Sequence, residues 1–503
     1  SPNGDFLDDS LALSLADGGQ LRNVVDFIDQ APSDTLEIVM DPALTSAVQA
    51  MADGYVVQSL RENAAGEPGH LGAGQAEAKE WLTELAAALP RQDLLLMPWG
   101  SPDASSLGAN RMPGIMEAAV RASQRYASAQ RITTSVTNWP YDGYTTRRGL
   151  ALARDTGAPL RVVSEASLPD LTPQADSSYP PAQVSVPTSQ GPLTSLVTRT
   201  DLAGSPITTS TTGLQLVQGL MAEATVRAVD GETSATSVIG LPFGWDPGRD
   251  SERVDLATAY SFPTVEPRTA SSTAQEPADV YQGHVRPPKS FSRLSRGVLG
   301  GIKMLRNKGR TLTDLLTDQE QARIDFDRQL AAAGSSLWRN RERLRATSIR
   351  RAAKAAAKQY ARVTVTGPTF VALSSASGRF PLTVTNGLNV SVTVKINVRP
   401  QNPAVKVDPI DSLVLAPGQR RDIEVTTRSH GSGLTAVKVR LSTTSDRRFG
   451  EPWDFNIRAT QIGVAIWVVM GLGAGILFVA AGRRIYLRIR GGTLVPRGEQ
   501  RTS

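Results

Sequence analysis

The chain has 503 residues, which is enough for about three domains that each bury a core. It contains no cysteine and only three histidines, His70, His284 and His430, which excludes disulfides and a thiolate nucleophile and nearly excludes a His-rich metal site. The net charge of +6 is uneven, because basic residues clearly outnumber acidic ones between residues 289 and 361. We expect no metal, no cofactor and no nucleic-acid partner. The basic segment would face anionic lipid, an acidic wall polymer or solvent.

Residues 1–250 alternate apolar runs with amphipathic helical patterns, which predicts a parallel sheet covered by helices. The predicted strands are 36–40, 93–97, 131–137, 160–164, 195–200 and 237–241. The predicted helices include 77–89, 115–127, 147–156 and 214–229. This spacing favours an α/β domain built as an incomplete (β/α) barrel, with an open doubly wound sheet as the alternative. No Gly-rich phosphate fingerprint follows the first strand, which is evidence against nucleotide binding.

Tryptophans and carboxylates recur directly after the predicted strands of this domain. They are Asp41, Trp99, Asp103, Trp139, Tyr141, Asp142, Trp245 and Asp246. In parallel α/β folds ligands bind at the carboxyl ends of the strands. Aromatic faces stack on sugar rings and carboxylates accept hydrogen bonds from hydroxyl groups. The pattern therefore predicts a carbohydrate groove, with Trp99, Trp139, Tyr141, Trp245 and Asp246 as ligand-binding residues.

The same residues have two other interpretations. Asp41, Asp103 and Asp142 are candidate catalytic carboxylates, and two of them at roughly 5–10 Å would suit glycoside hydrolysis. Alternatively, aspartate is a favoured N-cap, so each of them would start the following helix while the tryptophans close the end of the sheet. A metal-dependent polysaccharide deacetylase does not fit, because it needs paired aspartates after the first strand and two histidines at ligand spacing.

Residues 251–288 are rich in Ser, Thr, Pro and acidic residues, and we predict a linker there. Residues 289–361 have a helical pattern, in which Leu294, Val298, Ile302 and Leu305 recur at helical spacing. We predict a basic helical connector that leads into the next domain.

Residues 362–460 consist of short stretches rich in Val, Thr and Ile that alternate with turn residues. Seven such stretches in about 100 residues favour an antiparallel β-sandwich. The pattern LTVTNGLNVSVTVKINV followed by LVLAPGQRRDIEV resembles the immunoglobulin-like or fibronectin-like domains that are common in bacterial surface proteins. This resemblance implies a spacer or interaction module beside the membrane.

Residues 462–481 are twenty residues without a charge. At about 1.5 Å per residue they span roughly 30 Å, the thickness of the hydrocarbon core of a bilayer. The basic tail, residues 482–503, begins with Arg483 and Arg484. Basic residues stay on the cytoplasmic side, so we predict one transmembrane helix in the cell membrane with the C-terminus inside and the bulk outside. Gly471 and Gly475 form a small-xxx-small pair that would contact a second helix.

The chain as a whole resembles a family of actinobacterial membrane-anchored proteins of unknown function, often encoded beside a lipid II flippase of the MurJ type. The resembling segments are FLDDSLALSL, LEIVMDPAL, LLLMPWGSPD, NWPYDG, GLPFGWDP, LTVTNGLNVSVTV and GRRIYLRIR. The resemblance implies a cell-envelope location, a flippase-like membrane partner, and a link to cell-wall glycan and lipid II traffic. It implies no activity and no catalytic residues.

Two functions follow from these observations. The first is a non-enzymatic binding or scaffold protein of the cell envelope, linked to peptidoglycan or lipid II biogenesis. The alternative is a glycan-active enzyme that uses carboxylates at the mouth of the barrel.

Overall fold

The computed structural model describes residues 6–173, 179–232, 236–249, 256–373, 375–459 and 462–490. The chain is multidomain and combines helices, curled β-sheets and one apolar helix near its C-terminus. It divides into two compact units. The first contains Ser1–Arg310 and Glu320–Ala356, and the second contains Thr311–Gln319 and Ala357–Ser503.

The first unit alternates strands and helices along most of its length. Its described strands are β1 (Glu37–Met40), β2 (Val56–Val57), β3 (His70–Leu71), β4 (Asp93–Leu96), β5 (Thr137–Asn138), β6 (Leu160–Ser164), β7 (Gln183–Val186), β8 (Leu193–Arg199), β9 (Asp201–Leu202), β10 (Ser205–Pro206), β11 (Val238–Ile239) and β12 (Asp279–Val280). Its described helices are α1 (Ser10–Leu15), α2 (Gln20–Gln30), α3 (Pro42–Ala52), α4 (Leu60–Ala65), α5 (Gln75–Ala88), α6 (Ala104–Ala109), α7 (Pro113–Gln130), α8 (Arg147–Asp155), α9 (Gly213–Val229), α10 (Leu256–Tyr260), α11 (Ala270–Thr273), α12 (Arg296–Leu315), α13 (Glu320–Ala333) and α14 (Glu342–Tyr360). The last residues of α12 and of α14 belong to the second unit.

Six of these strands, β1, β4, β5, β6, β8 and β11, form a parallel series. Each strand lies beside the next member of the series, in the order in which they occur along the chain. β1 pairs with β4, a parallel bridge between Leu96 and Val136 leads to β5, and β5 pairs with β6, β6 with β8, and β8 with β11. β7 pairs antiparallel with β8 and carries β12 on its other side. Each of the six runs predicted as strands overlaps one of these strands, although the run 131–137 shares only Thr137 with β5. Because neighbours in the series are parallel, their carboxyl ends meet at one edge.

The helices of residues 289–361 belong mostly to the core of the first unit. Val298, Ile302 and Leu305 of α12 are buried in one cluster with Ile115 and Met116 of α7. The sequence predicted a separate connector here, and that prediction needs correction. The apolar stripe of α12 is buried against another helix of the same unit, so the segment supplies core rather than a spacer.

The second unit contains two sheets with a common core. The strands are β13 (Val363–Thr366), β14 (Phe370–Leu373), β15 (Ser377–Asn386), β16 (Val392–Pro400), β17 (Val405–Val407), β18 (Leu413–Leu415), β19 (Arg420–Ser429), β20 (Gly433–Ser442) and β21 (Arg448–Ala459). One sheet has the order β13-β15-β19-β17 and the other β14-β21-β20-β16-β18. Phe380, Val394 and Val439 are among the residues of both sheets that share the core. β14 pairs parallel with β21, which differs at this edge from the antiparallel sandwich that the sequence predicted.

Two turn motifs that are about thirty residues apart meet through the side chain of Asn386. This side chain is fully buried, and its Nδ2 donates to the carbonyl oxygens of Val390 and Ala416, both at 2.8 Å. Its Oδ1 accepts the N–H of Leu388 at 3.0 Å. Gly418, in the second turn, has a φ of +67° that favours glycine. Asn386 therefore satisfies buried backbone groups on both turns at once.

The C-terminal helix α15 (Ile462–Arg490) is the one described helix that is long and apolar enough to cross a membrane. The span that meets this criterion is Val468–Ile489, and none of it is buried within the protein. The helix predicted at 462–481 is thus present and continues to Arg490. The predicted tail from 491 onward lies outside the described residues.

We predict that Asn386→Ala lowers the free energy of unfolding of the second unit by about 2–4 kcal/mol, because it leaves several buried backbone groups without partners. The measurement is calorimetric unfolding of the full chain together with hydrogen exchange of the β15 amides. Asn402→Ala is the matched control, since Asn402 is exposed and accepts the N–H of Ala404 in a surface turn. Equal effects of the two substitutions would contradict the role of Asn386.

Candidate functional site

The edge where the six parallel strands end is also occupied by a later segment of the first unit, residues 334–341. The N–H of Asp103 donates to the carbonyl of Gly334 at 2.9 Å. The N–H and the hydroxyl of Ser336 both donate to the carbonyl of Ser101, at 2.9 and 3.0 Å. These contacts cover the loop after β4, which the sequence predicted to be available to a ligand.

Asp41 follows β1 and is the N-cap of α3. Its Oδ1 accepts the N–H groups of Ala43 and Gly100, both at 2.9 Å, and its Oδ2 accepts the hydroxyl of Ser101 at 2.9 Å. The residue is 9% exposed, and burial raises the pKa of its carboxyl group. The carboxylate therefore caps a helix and ties the end of β1 to the loop after β4.

Asp103 is the N-cap of α6. Its Oδ1 accepts the N–H of Ser106 at 2.9 Å, and its Oδ2 accepts the hydroxyl of the same residue at 2.8 Å. The guanidinium of Arg339 lies 3.6 Å from Oδ2. Further along the same segment, Arg345 donates to the carbonyl of Ser335 at 2.8 Å, and burial lowers the pKa of Arg345 to about 10. The buried carboxylate of Asp103 is thus paired within the chain, which favours the capping interpretation.

Trp99 and Trp245 lie in the core. Trp99 is 6% exposed, with the guanidinium of Arg328 at 4.5 Å from its ring. Trp245 is 5% exposed, its Nε1 donates to the carbonyl of Thr211 at 2.7 Å, and it packs edge-on against Phe27. A sugar ring stacks only on an aromatic face that solvent can reach, and these two faces are covered.

Trp139, Tyr141 and Asp142 remain half-buried and lie together with Phe243, which follows β11. Tyr141 stacks on Phe243 with ring centres 5.3 Å apart, and Trp139 meets Phe243 edge-on at 6.4 Å. The Oδ1 of Asp142 accepts the N–H of Phe243 at 3.3 Å, and burial raises the pKa of Asp142. The structure thus brings together the loops after β5 and β11. We call these four residues the aromatic cluster.

Asp246 does not join the aromatic cluster. Its Oδ1 accepts the side-chain amide of Asn23 at 2.9 Å and the N–H of Gly248 at 3.0 Å. These contacts hold a turn next to α2, so the carboxylate serves the local fold.

Arg339 is the neighbour of the aromatic cluster that the sequence did not reveal. Its guanidinium carbon lies 5.4 Å from the ring centre of Tyr141 and 3.8 Å from that of Phe291. One guanidinium nitrogen donates to the carbonyl of Ser292 at 2.7 Å. Burial lowers the pKa of Arg339, and the carboxylates of Asp103 and Asp142 oppose that effect. No local pattern points to Arg339, because more than two hundred residues separate it from Asp103.

Gly471 and Gly475 lie one turn apart on α15, in a shallow groove with Leu472, Ile476 and Val479. Within the part of the chain that the structure describes, no three His, Asp or Glu side chains are grouped as ligands of a metal ion would be.

A family model for a family of unknown function, DUF6049, matches residues 30–480 of this chain. The chain belongs to the DUF6049 family. No curated protein matches it.

Two solved structures are each similar to about a fifth of this DUF6049 chain. A PapD-like domain of human CEP192 is 12% identical, covers 20% of this chain and 87% of its own, and has a TM-score of 0.17. A FixG-related protein from Vibrio parahaemolyticus is 13% identical, covers 20% of this chain and 94% of its own, and also has a TM-score of 0.17. TM-scores this low establish neither a shared fold nor a function.

We predict that Asp41→Ala lowers the free energy of unfolding by about 1–3 kcal/mol, because three donors lose a buried acceptor. Thermal and denaturant unfolding of the full chain measure the change. Asp53→Ala is the matched control, since this exposed aspartate lies at the other end of the same helix α3. If Asp41→Ala leaves stability as unchanged as the control does, the capping role is wrong.

Proposed function

We propose that the protein is a single-pass, membrane-anchored protein of the cell envelope whose bulk is extracytoplasmic and whose role is binding or scaffolding rather than catalysis. The observation that carries this proposal is α15. Its described apolar side chains, among them Leu472, Ile476 and Phe478, are more than half exposed, and no part of the Val468–Ile489 span is covered by the protein. Such a surface is unfavourable in water at about 25 cal/mol per Å² and is compatible with hydrocarbon.

The orientation follows from charge. Arg483, Arg484 and Arg488 come directly after the uncharged run of residues 462–481. Because basic flanks are retained on the cytoplasmic side, we infer that the C-terminus is cytoplasmic and that the first unit and the two sheets of the second unit lie outside the cell membrane.

We also infer a fold for each of the two units. The six parallel strands lie side by side in the same order as they occur in the chain. This order supports an incomplete (β/α) barrel in the first unit, because in a doubly wound sheet the strand order reverses part-way through the chain. The two sheets with a common core in the second unit support an immunoglobulin-like sandwich that serves as a spacer.

The envelope role is supported by resemblance. The segments quoted above resemble an actinobacterial envelope family associated with lipid II flippases of the MurJ type, and from that we infer a link to peptidoglycan or lipid II biogenesis. A flippase-like membrane partner would contact α15 at Gly471 and Gly475, where small residues permit close approach of a second helix. Loss of co-purification after both glycines are changed to Leu tests this contact.

A glycan-active enzyme is the alternative, and Asp142 is its candidate carboxylate. Asp142 lies among aromatic rings and has a raised pKa, as a general acid requires. Glycoside hydrolysis also needs a second carboxylate at roughly 5–10 Å. Asp41 and Asp103 are engaged as helix caps, so we favour glycan binding at the aromatic cluster over hydrolysis.

We predict that the full chain resists carbonate extraction from membranes and that a chain ending at residue 459 is soluble, because α15 supplies the attachment. A protease added to intact cells should degrade the bulk of the full chain. The variant with Leu at positions 471 and 475 is the control, since it keeps the apolar span and should stay in the membrane. Extraction of the full chain by carbonate would contradict the anchor.

We predict that Trp139→Ala weakens co-sedimentation with purified cell-wall glycan by about 5- to 10-fold, the effect of losing about 1 kcal/mol or somewhat more of aromatic contact. Trp453→Ala is the matched control, because Trp453 is also half-buried but belongs to the second unit. Equal binding by the wild type and both variants would contradict a glycan site at the aromatic cluster.

A further inference from the structure

The second unit has an exposed apolar groove at the end where β21 finishes. Phe370 of β14, Leu434 of β20 and Arg458 of β21 line it, together with Ser432, Gly433 and Ala459. Phe370 is 51% exposed and Leu434 is 66% exposed. Two large apolar side chains that are this exposed and share a groove make it a candidate contact surface.

Strand register brings these residues together on the outer face of one sheet. Leu434 lies opposite Arg458, and Gly433 lies opposite Ala459. On the other side of β21, Phe370 lies opposite Asn456. Along β21 the buried side chains of Ile457 and Ala459 alternate with the exposed ones of Asn456 and Arg458, so the groove opens away from the core.

Chain length fixes how far this groove lies from α15. Ala459 ends β21 and Ile462 begins the helix, so three Cα steps join them and span at most about 11 Å. The headgroup layer of a bilayer is roughly 5–7 Å thick on each side of the hydrocarbon. The edge of the groove is therefore within reach of that layer when α15 is in the membrane.

The loops at the same end of the unit carry no carboxylate. The described residues of the connections, 375–376, 401–404 and 430–432, are uncharged apart from His430. They are adjacent, since the N–H of Ser429 donates to the carbonyl of Ala376 at 2.8 Å and the N–H of His430 to that of Ala404 at 2.9 Å. The loop at the opposite end, residues 443–447, contains both Asp446 and Arg447. An end without negative charge, with Arg458 in its groove, complements an anionic lipid surface.

We propose that this end of the second unit docks on the headgroup layer of the bilayer that holds α15. Phe370 and Leu434 reach the boundary of the acyl chains, and the guanidinium of Arg458 binds lipid phosphate. Apolar side chains of interfacial segments enter this boundary by roughly 5–10 Å. This inference rests on the proposed membrane anchor. The docking would give the unit a second attachment and a fixed orientation on the membrane.

The test uses single cysteines, which label uniquely because the chain has none. Phe370→Cys, Leu434→Cys and Val414→Cys of the full chain are labelled with an environment-sensitive fluorophore. Each is reconstituted into vesicles of phosphatidylcholine with phosphatidylglycerol. Val414 is the matched control, because it is 52% exposed on β18 of the same sheet, at its opposite end. Iodide reports exposure to water, and lipids with a nitroxide near the headgroup report contact with the bilayer.

We expect iodide to quench the probes at 370 and 434 about threefold less than the probe at 414, and nitroxide lipids to quench only the first two. Omitting phosphatidylglycerol, or adding Arg458→Gln, should reduce the shielding at 434 by about twofold.

Three results would overturn the proposal in distinguishable ways. Vesicles that carry the protein but leave all three probes equally accessible would exclude docking while the anchor stands. Shielding from iodide without quenching by nitroxide lipids would show that protein, such as a second copy, covers the groove. A chain that fails to float with vesicles would overturn the anchor and this inference together.

Discussion

The organisation of this protein depends on one constraint, which is that the apolar surface of α15 has to be covered. Val468–Ile489 buries none of its surface within the protein, and its apolar side chains point in all directions around the helix. A soluble helix would show an apolar stripe on one side only, as α12 does against α7. Hydrocarbon can cover such a helix without leaving backbone N–H and C=O groups unpaired, because these groups bond to one another within the helix.

The polar groups at the strand ends of the first unit meet a different constraint, since buried carboxylates need donors. Asp41 obtains them from two backbone N–H groups and a serine, and Asp103 obtains them from Ser106 and the nearby Arg339. Each of these contacts is made within the chain. An open catalytic cleft leaves such groups available to a substrate. Here they hold loops together, whereas the aromatic cluster keeps partial exposure.

The sequence pattern was sufficient to predict several of the main elements, but not α10, α11 and β12, which lie in the segment predicted as a linker. The apolar runs of 36–40 and 93–97 predicted two strands that do pair, and the uncharged run of 462–481 predicted α15. What periodicity could not predict were contacts between distant segments. Trp99 looked like a binding residue because it follows a strand, but its burial depends on packing that includes Ala331, more than two hundred residues later. Asn386 likewise donates to the carbonyl of Ala416, in a turn about thirty residues later. The sequence around Asn386 does not predict that contact.

Exposed apolar side chains occur in both units, as at Leu71 and Val229 in the first and at Phe370 and Leu434 in the second. In the first unit the large aromatic side chains at the strand ends are buried or half-buried, and the carboxylates of Asp41 and Asp103 are hydrogen-bonded within the chain. In the second unit, Phe370 and Leu434 remain exposed within a few residues of the chain that enters α15. Strand-end carboxylates that serve the fold, and exposed apolar side chains close to α15, support the proposed role of holding a position at a membrane, which needs no reacting groups.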